Sequence, residues 1–156
     1  MNPSIDDRIG SVIRALSEVI LPHLPAEAAL AQEQAQLAIG HLQIIRAQID
    51  DAPAFEREEL ADAVALGTAL HAAIASDAHT GAAIAALTLA IGTADGEDIR
   101  GQYRAIQTAI EQLVQAIGQK GSPEVRQTLS AIILDHEDRR TQKDRTWFAA
   151  FGFDKL

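Results

Sequence analysis

Apolar side chains recur at steps of three and four along almost the whole chain, the spacing that places them on one face of an α-helix. Ile5, Ile9, Val12, Leu16 and Val19 form the first such stripe. Ser4 stands before it as a capping residue, and Asp6 and Asp7 fill the first turn, where the helix dipole favours anions. The pattern predicts a helix from Ile5 to Leu21, closed by the corner Leu21-Pro22-His23-Leu24-Pro25. Ala31, Ala35, Ala38, Leu42, Ile45 and Ile49 predict a second helix from about Ala26 to Asp51, with Pro53 ending it. Its narrow seam is made of small residues at the N-terminal end, so another helix can approach closely there.

Four more helices follow. The third is predicted from about Ala54 to Ala75, with Glu56, Glu58 and Glu59 in its first turns and no formal charge from Ala63 to Ala75. The fourth, from about Gly81 to Ala94, carries no charge at all, after a turn in which Asp77 or Thr80 is the expected cap. A helix that is apolar on every side is normally enclosed by others or covered by a partner chain. Gly92, Asp95 and Gly96 mark the next turn, with Asp95 as cap. Ile99, Tyr103, Ile106, Ile110, Leu113 and Ile117 then alternate strictly by four and three on a fifth helix predicted from about Glu97 to Ile117, with Gly118 at its C-terminal end and Gly121 in the turn. Ser122-Pro123 opens the sixth helix in the order of cap then proline. That helix begins with Val125, Leu129, Ile132 and Ile133, becomes densely charged from Asp135 to Arg145, and ends in Trp147, Phe148, Phe151 and Phe153.

The fold class this implies is all-α: one domain of about six helices, up-and-down in type, with no run of period two that would make a strand. Composition agrees, since alanine is abundant and aromatic residues are only 4% of the 156. The net charge of −9 narrows the partners. A surface this acidic repels phosphate backbones and anionic lipid, so neither nucleic acid nor membrane is expected as a partner. The basic cluster Arg139, Arg140, Lys143 and Arg145 is interleaved with Asp135, Glu137, Asp138 and Asp144. The apolar stretch from Ala63 to Ala94 is interrupted at residues 76–81, and neither half reaches the roughly 20 residues of a membrane span. The start of the chain has no secretory signal, and a cytoplasmic location is expected.

Candidate chemistry is sparse. There is no cysteine, glycine-rich phosphate loop, nucleophile elbow or zinc helix. Helical di-iron centres use Glu-x-x-His, but the positions three before the five histidines hold Ile20, Ala38, Thr68, Ser76 and Ile133. No metal or other cofactor is therefore expected. His136 lies among Asp135, Glu137 and Asp138, yet neighbours on a helix point about 100° apart. The i,i+4 pairs Asp135–Arg139 and Arg140–Asp144 read this segment as a solvated, ion-paired face. His41 and His71 sit within apolar helices, and Asp77 and His79 in the turn before the fourth. These four are the candidate polar groups of a ligand pocket, if they share one cavity.

The segment from Ile9 to Ile49 carries a further pattern. Val12-x3-Leu16-x2-Val19-x-Leu21-Pro22-x-Leu24-Pro25, followed by Ala35-x2-Ala38-Ile39-x2-Leu42-x-Ile44-Ile45-Arg46, resembles an uncharacterised all-helical bacterial family. Its members tend to be encoded beside phosphotransferase-like kinases and acyl-CoA dehydrogenases. The resemblance covers about a quarter of the chain and implies an accessory role near acyl-thioester metabolism, with no catalytic residues to carry over.

Together these patterns point to a non-enzymatic helical module that forms a homodimer and serves a protein partner. The expected interface is Ile84, Ala86, Leu87 and Ile91 of the fourth helix, with Trp147, Phe148, Phe151 and Phe153 of segment 146–156 docking on the same chain or a second subunit. The alternative is a binder or enzyme for an acyl-like small molecule, held in an apolar pocket between helices.

Overall fold

A computed structural model describes residues 2–74, 80–93 and 98–149. Of these residues 88% are helical, and none is in a strand. The fold is an all-α bundle. Its contacts group into two compact units, Met1–Pro53 and Ala54–Leu156. The division falls at the start of a helix, where no stretch rich in glycine or serine announces it.

The first unit is a helical hairpin. Helix α1 (Ile5–Arg14) is capped as expected: Asp7 N–H donates to Ser4 Oγ at 3.1 Å, and Ser4 N–H donates back to Asp7 Oδ2 at 3.1 Å. The helical run continues past Arg14 in a wider form, a π-turn over Ala15–Ile20, and then tightens to a 3-10 turn over Leu21–His23. The cause is Pro22. Its ring would collide with the carbonyl four residues back in a regular helix, and the widened turn lets Leu21 N–H reach Leu16 O instead. Helix α2 (Ala29–Gln48) returns against α1. At the open end of the hairpin, Arg46 donates to both carboxylate oxygens of Asp6, at 2.5 and 2.9 Å. Gly10 leaves the space for this pair, since a Cβ there would lie 3.3 Å from Arg46 Nη1.

The second unit holds helices α3 (Ala52–Ile74), α4 (Gly81–Gly92), α5 (Ile99–Lys120) and α6 (Pro123–Phe148). Pro53 does not end α2. It occupies the first turn of α3, where a missing N–H breaks no helical bond. The core is built on Leu60, Leu66, Leu70 and Ile74 of α3, Leu87 of α4, and Ile106, Ile110, Leu113 and Ile117 of α5, with Leu129 of α6. The four-three seam of α5 is thus the centre of this unit, with Ile99 and Tyr103 packed at its edge. Asp98 caps α5 by accepting from Gly101 N–H, and Ser122 caps α6 by accepting from Val125 N–H. Gly118 lies inside α5 rather than at its end; Gly121 is the closing residue. Thr80 stands at the cap position of α4, while Asp77 and Asp95 lie outside the described residues.

Candidate functional site

Two features of this fold carry functional information: an uncovered apolar surface on the hairpin, and a charge-lined cleft between α3 and α6.

The first unit contains no buried apolar side chain among its described residues; the core begins only at Leu60. On α1 and the π-turn that continues it, Ile9, Ile13 and Leu16 are half-buried, while Ile5, Val12 and Val19, seven residues apart, stay exposed. On α2, Ala35, Ala38, Ile39 and Leu42 are half-buried, while Leu30, Leu37 and Ile45 are exposed, Leu30 to 71%. On each helix the exposed row stands about a quarter-turn from the half-buried one, in the same rotational sense. In an antiparallel pair that puts both rows on one side of the hairpin. Neither row contains a charged residue.

The second feature arises because the inward seam of α6 changes its chemistry half-way. Val125, Leu129 and Ile132 continue at the same spacing as His136, Arg140, Lys143 and Trp147. Facing them, the N-terminal half of α3 presents Phe55, Glu59 and Asp62. Trp147 stacks on Phe55, with ring centroids 4.4 Å apart. The Lys143 ammonium lies 5.4 Å from the centre of the Phe55 ring and donates to Asp62 at 2.8 Å, with Glu58 and Glu59 at 3.5 and 3.6 Å. Partial burial works to lower its pKa, but Asp62 and the two glutamates outweigh this and hold it above the ordinary lysine value. Arg140 lies 3.8 Å from Glu59 and 3.7 Å from Glu137, beyond hydrogen-bond reach, and its buried Nε has no hydrogen-bond partner among the described residues.

Above these groups a partly open cavity of about 510 Å³ runs between the two helices. From α3 it is lined by Asp62, Ala65, Leu66 and Ala69, and from α6 by Ile132, Asp135, His136, Arg139, Arg140 and Lys143. The segment read as a solvated face is therefore only half solvated. Asp135 and Arg139 do form the expected exposed pair, at 2.9 Å, but His136 is 9% exposed and makes no hydrogen bond or ion pair among the described residues. Arg140 turns inward to Glu59 instead of pairing with Asp144. A smaller cavity of about 300 Å³ separates the starts of α3 and α5, between Phe55, Ile99 and Tyr103, beside the Arg100–Glu56 ion pair.

Of the histidines expected in a ligand pocket, His41 and His71 line neither cavity. His41 is exposed on α2, on the side of Leu37 and Ile45; His71 is half-buried on α3; Asp77 and His79 lie outside the described residues. The predicted interface also changes. Leu87 is fully buried and unavailable to a second subunit, and Ile84 and Ile91 pack on the core. Ala86 is half-buried, and α4 keeps one open side at Leu89, 69% exposed. Within the chain α4 is therefore enclosed on one side only, and its outward residues are mostly alanine, glycine and threonine. Trp147 is held by the chain's own Phe55, Phe148 is exposed, and Phe151 and Phe153 lie outside the described residues. Among the described residues no helix is long and apolar enough to cross a membrane, and no three His, Asp or Glu side chains group as metal ligands. No protein-family model, curated protein or solved structure matches the chain.

Proposed function

We propose that this protein is a self-associating helical module whose N-terminal hairpin pairs with a second copy to make a four-helix bundle. The observation that carries the reading is the hairpin's two rows of uncovered apolar side chains in a unit with no core of its own. Two helices joined side by side bury only one seam, and a second layer is needed before their apolar rows leave water. The area fits. The exposed parts of Ile5, Val12, Val19, Leu30, Leu37 and Ile45 amount to on the order of 600 Å² per copy, so two copies bury roughly 1,200 Å², the size at which stable interfaces begin. The charge fits as well. Copies carrying −9 each repel one another, and two rows without Asp, Glu, Lys or Arg, with His41 as the one titratable group beside Leu37 and Ile45, are where they meet at least cost. Self-association through a symmetric face needs no catalytic residue, in keeping with an accessory or scaffolding role.

Sedimentation velocity at tens of micromolar is expected to give a dimer, and Val12→Glu with Leu37→Glu a folded monomer. Leu89→Glu, on the open side of α4, is expected to leave the dimer intact. A monomeric wild type, or a dimer lost on Leu89→Glu but kept in the double variant, would overturn the hairpin as the interface.

A further inference from the structure

We infer that the cleft between α3 and α6 binds a small organic monocarboxylate, its charged end held by Arg140 and His136 and its apolar body by Leu66 and Ile132. This rests on the second unit alone and is independent of the self-association reading. The polar groups of the cleft divide into satisfied and unsatisfied ones. Lys143 is taken by Asp62 at 2.8 Å and Arg139 by Asp135 at 2.9 Å. His136 and Arg140 are not. His136, 9% exposed as a residue, borders the cavity without a hydrogen bond among the described residues, and its ring nitrogens remain within reach of solvent in the cleft. The guanidinium faces its nearest carboxylates only at 3.7 and 3.8 Å and leaves Nε buried without an acceptor among the described residues. Burying the Arg140 Nε donor in this state is unfavourable, because no solvated alternative is available to it.

The two residues are four apart on α6, so their side chains are neighbours on one helix face. Both donate from nitrogen, and a carboxylate supplies two acceptor oxygens with the planar fork that a guanidinium matches. Asp62 and Asp135 also line the cavity, and Glu59 stands behind it. Their negative charge disfavours a dianion such as phosphate and admits a single compensating charge. The remaining wall is hydrocarbon, from Leu66 and Ile132 with Ala65 and Ala69 at the rim. A volume of about 510 Å³ lies within the range of sites for small organic ligands.

Calorimetric titration of the full-length protein with hexanoate at neutral pH and low chloride tests this. A saturable site with Kd on the order of 1 mM or tighter is expected, weakened about tenfold or more in Arg140→Gln and in His136→Gln, since each removes a charge-assisted or buried hydrogen bond. The neutral isostere hexanamide and inorganic phosphate are expected not to compete. Because Arg140→Gln also removes one of the two cations beside Glu59, a measurement on the unaltered chain stands beside it. The His136 ring resonances, identified by their loss in His136→Gln, are expected to shift as hexanoate is added, while those of exposed His23 and His41 stay in place. The inference is overturned if hexanoate does not saturate, if hexanamide binds equally well, if phosphate displaces hexanoate, if both variants bind as the wild type does, or if the His136 resonances do not move.

Discussion

Two glycines three residues apart at the end of α5 meet opposite physical demands. Gly118 lies within the helix with nothing within 4 Å of where a Cβ would stand, so it adds only backbone entropy to the unfolded chain. Gly118→Ala is expected to stabilise the protein by about 0.5–1 kcal/mol. Gly121 has an ordinary φ of −71°, but a Cβ there would sit 2.7 Å from the Ile117 carbonyl oxygen to which its own N–H bonds. Gly121→Ala is expected to cost about 1–2 kcal/mol, because backbone has to move. Denaturant titration of the two variants reads the opposite signs directly. Asp7 offers a second residue-scale test. Hydrogen bonds from the Ser4 hydroxyl and N–H hold its carboxyl below the ordinary aspartate value. A group whose folded pKa is depressed contributes stability above its unfolded pKa and loses it as the pH falls through the folded value. Acidification through and below the usual carboxylate range should therefore lower the protection of first-turn amides of α1 relative to their intrinsic exchange rates, and Asp7→Asn should reduce that dependence, leaving the part due to Asp6.

At the scale of the elements, α6 shows what a one-dimensional pattern conceals. Its apolar half was legible, as were the caps at Ser4 and Ser122 and the α5 core seam, because each is a local spacing of residues with one obvious environment. The other half keeps the same four-three spacing but fills it with His136, Arg140 and Lys143, and hydrophobicity alone reads those as solvent-facing. The carboxylates that face Arg140 and Lys143 gave no sign of it: Glu58 and Glu59 read only as acidic residues in the first turns of α3, and Asp62 carried no signal of its own. The pairing joins positions about 80 apart in the chain, and nothing in either segment alone announces the other. The π-turn was equally hidden, since Ala15–Ile20 has ordinary helical composition and only the following proline forces its width. The clamp predicts its own energetics. Lys143→Met leaves Glu58 and Asp62 without their cation and Glu59 with Arg140 alone, and is expected to cost about 1–2 kcal/mol at neutral pH, between the values for exposed and buried pairs. Because the folded pKa of Lys143 is raised, its contribution is complete below the unfolded lysine value and is lost as the pH rises through the folded one. Denaturant melts at increasing alkaline pH should thus converge for wild type and Lys143→Met.

For the whole molecule, the net charge of −9 sets the sign of the salt response. Like-charged copies approach more easily when screened, and the screening length shortens from about 30 Å at 0.01 M to about 8 Å at 0.15 M salt. Self-association is therefore expected to tighten as sodium chloride is added, followed by sedimentation equilibrium. Weakening would instead point to an interface held by opposite charges. The stacked pair at the α3–α6 clamp has a consequence for how such assembly is observed. Trp147 is the chain's one tryptophan, and no phenylalanine, tyrosine or tryptophan precedes Phe55. The hairpin is optically dark at near-ultraviolet wavelengths. A melt followed by fluorescence watches the clamp alone, whereas far-ultraviolet ellipticity counts helix in both units. Where the two traces separate, and where that separation moves with protein concentration, the hairpin is reporting its own unfolding through the signal it lacks.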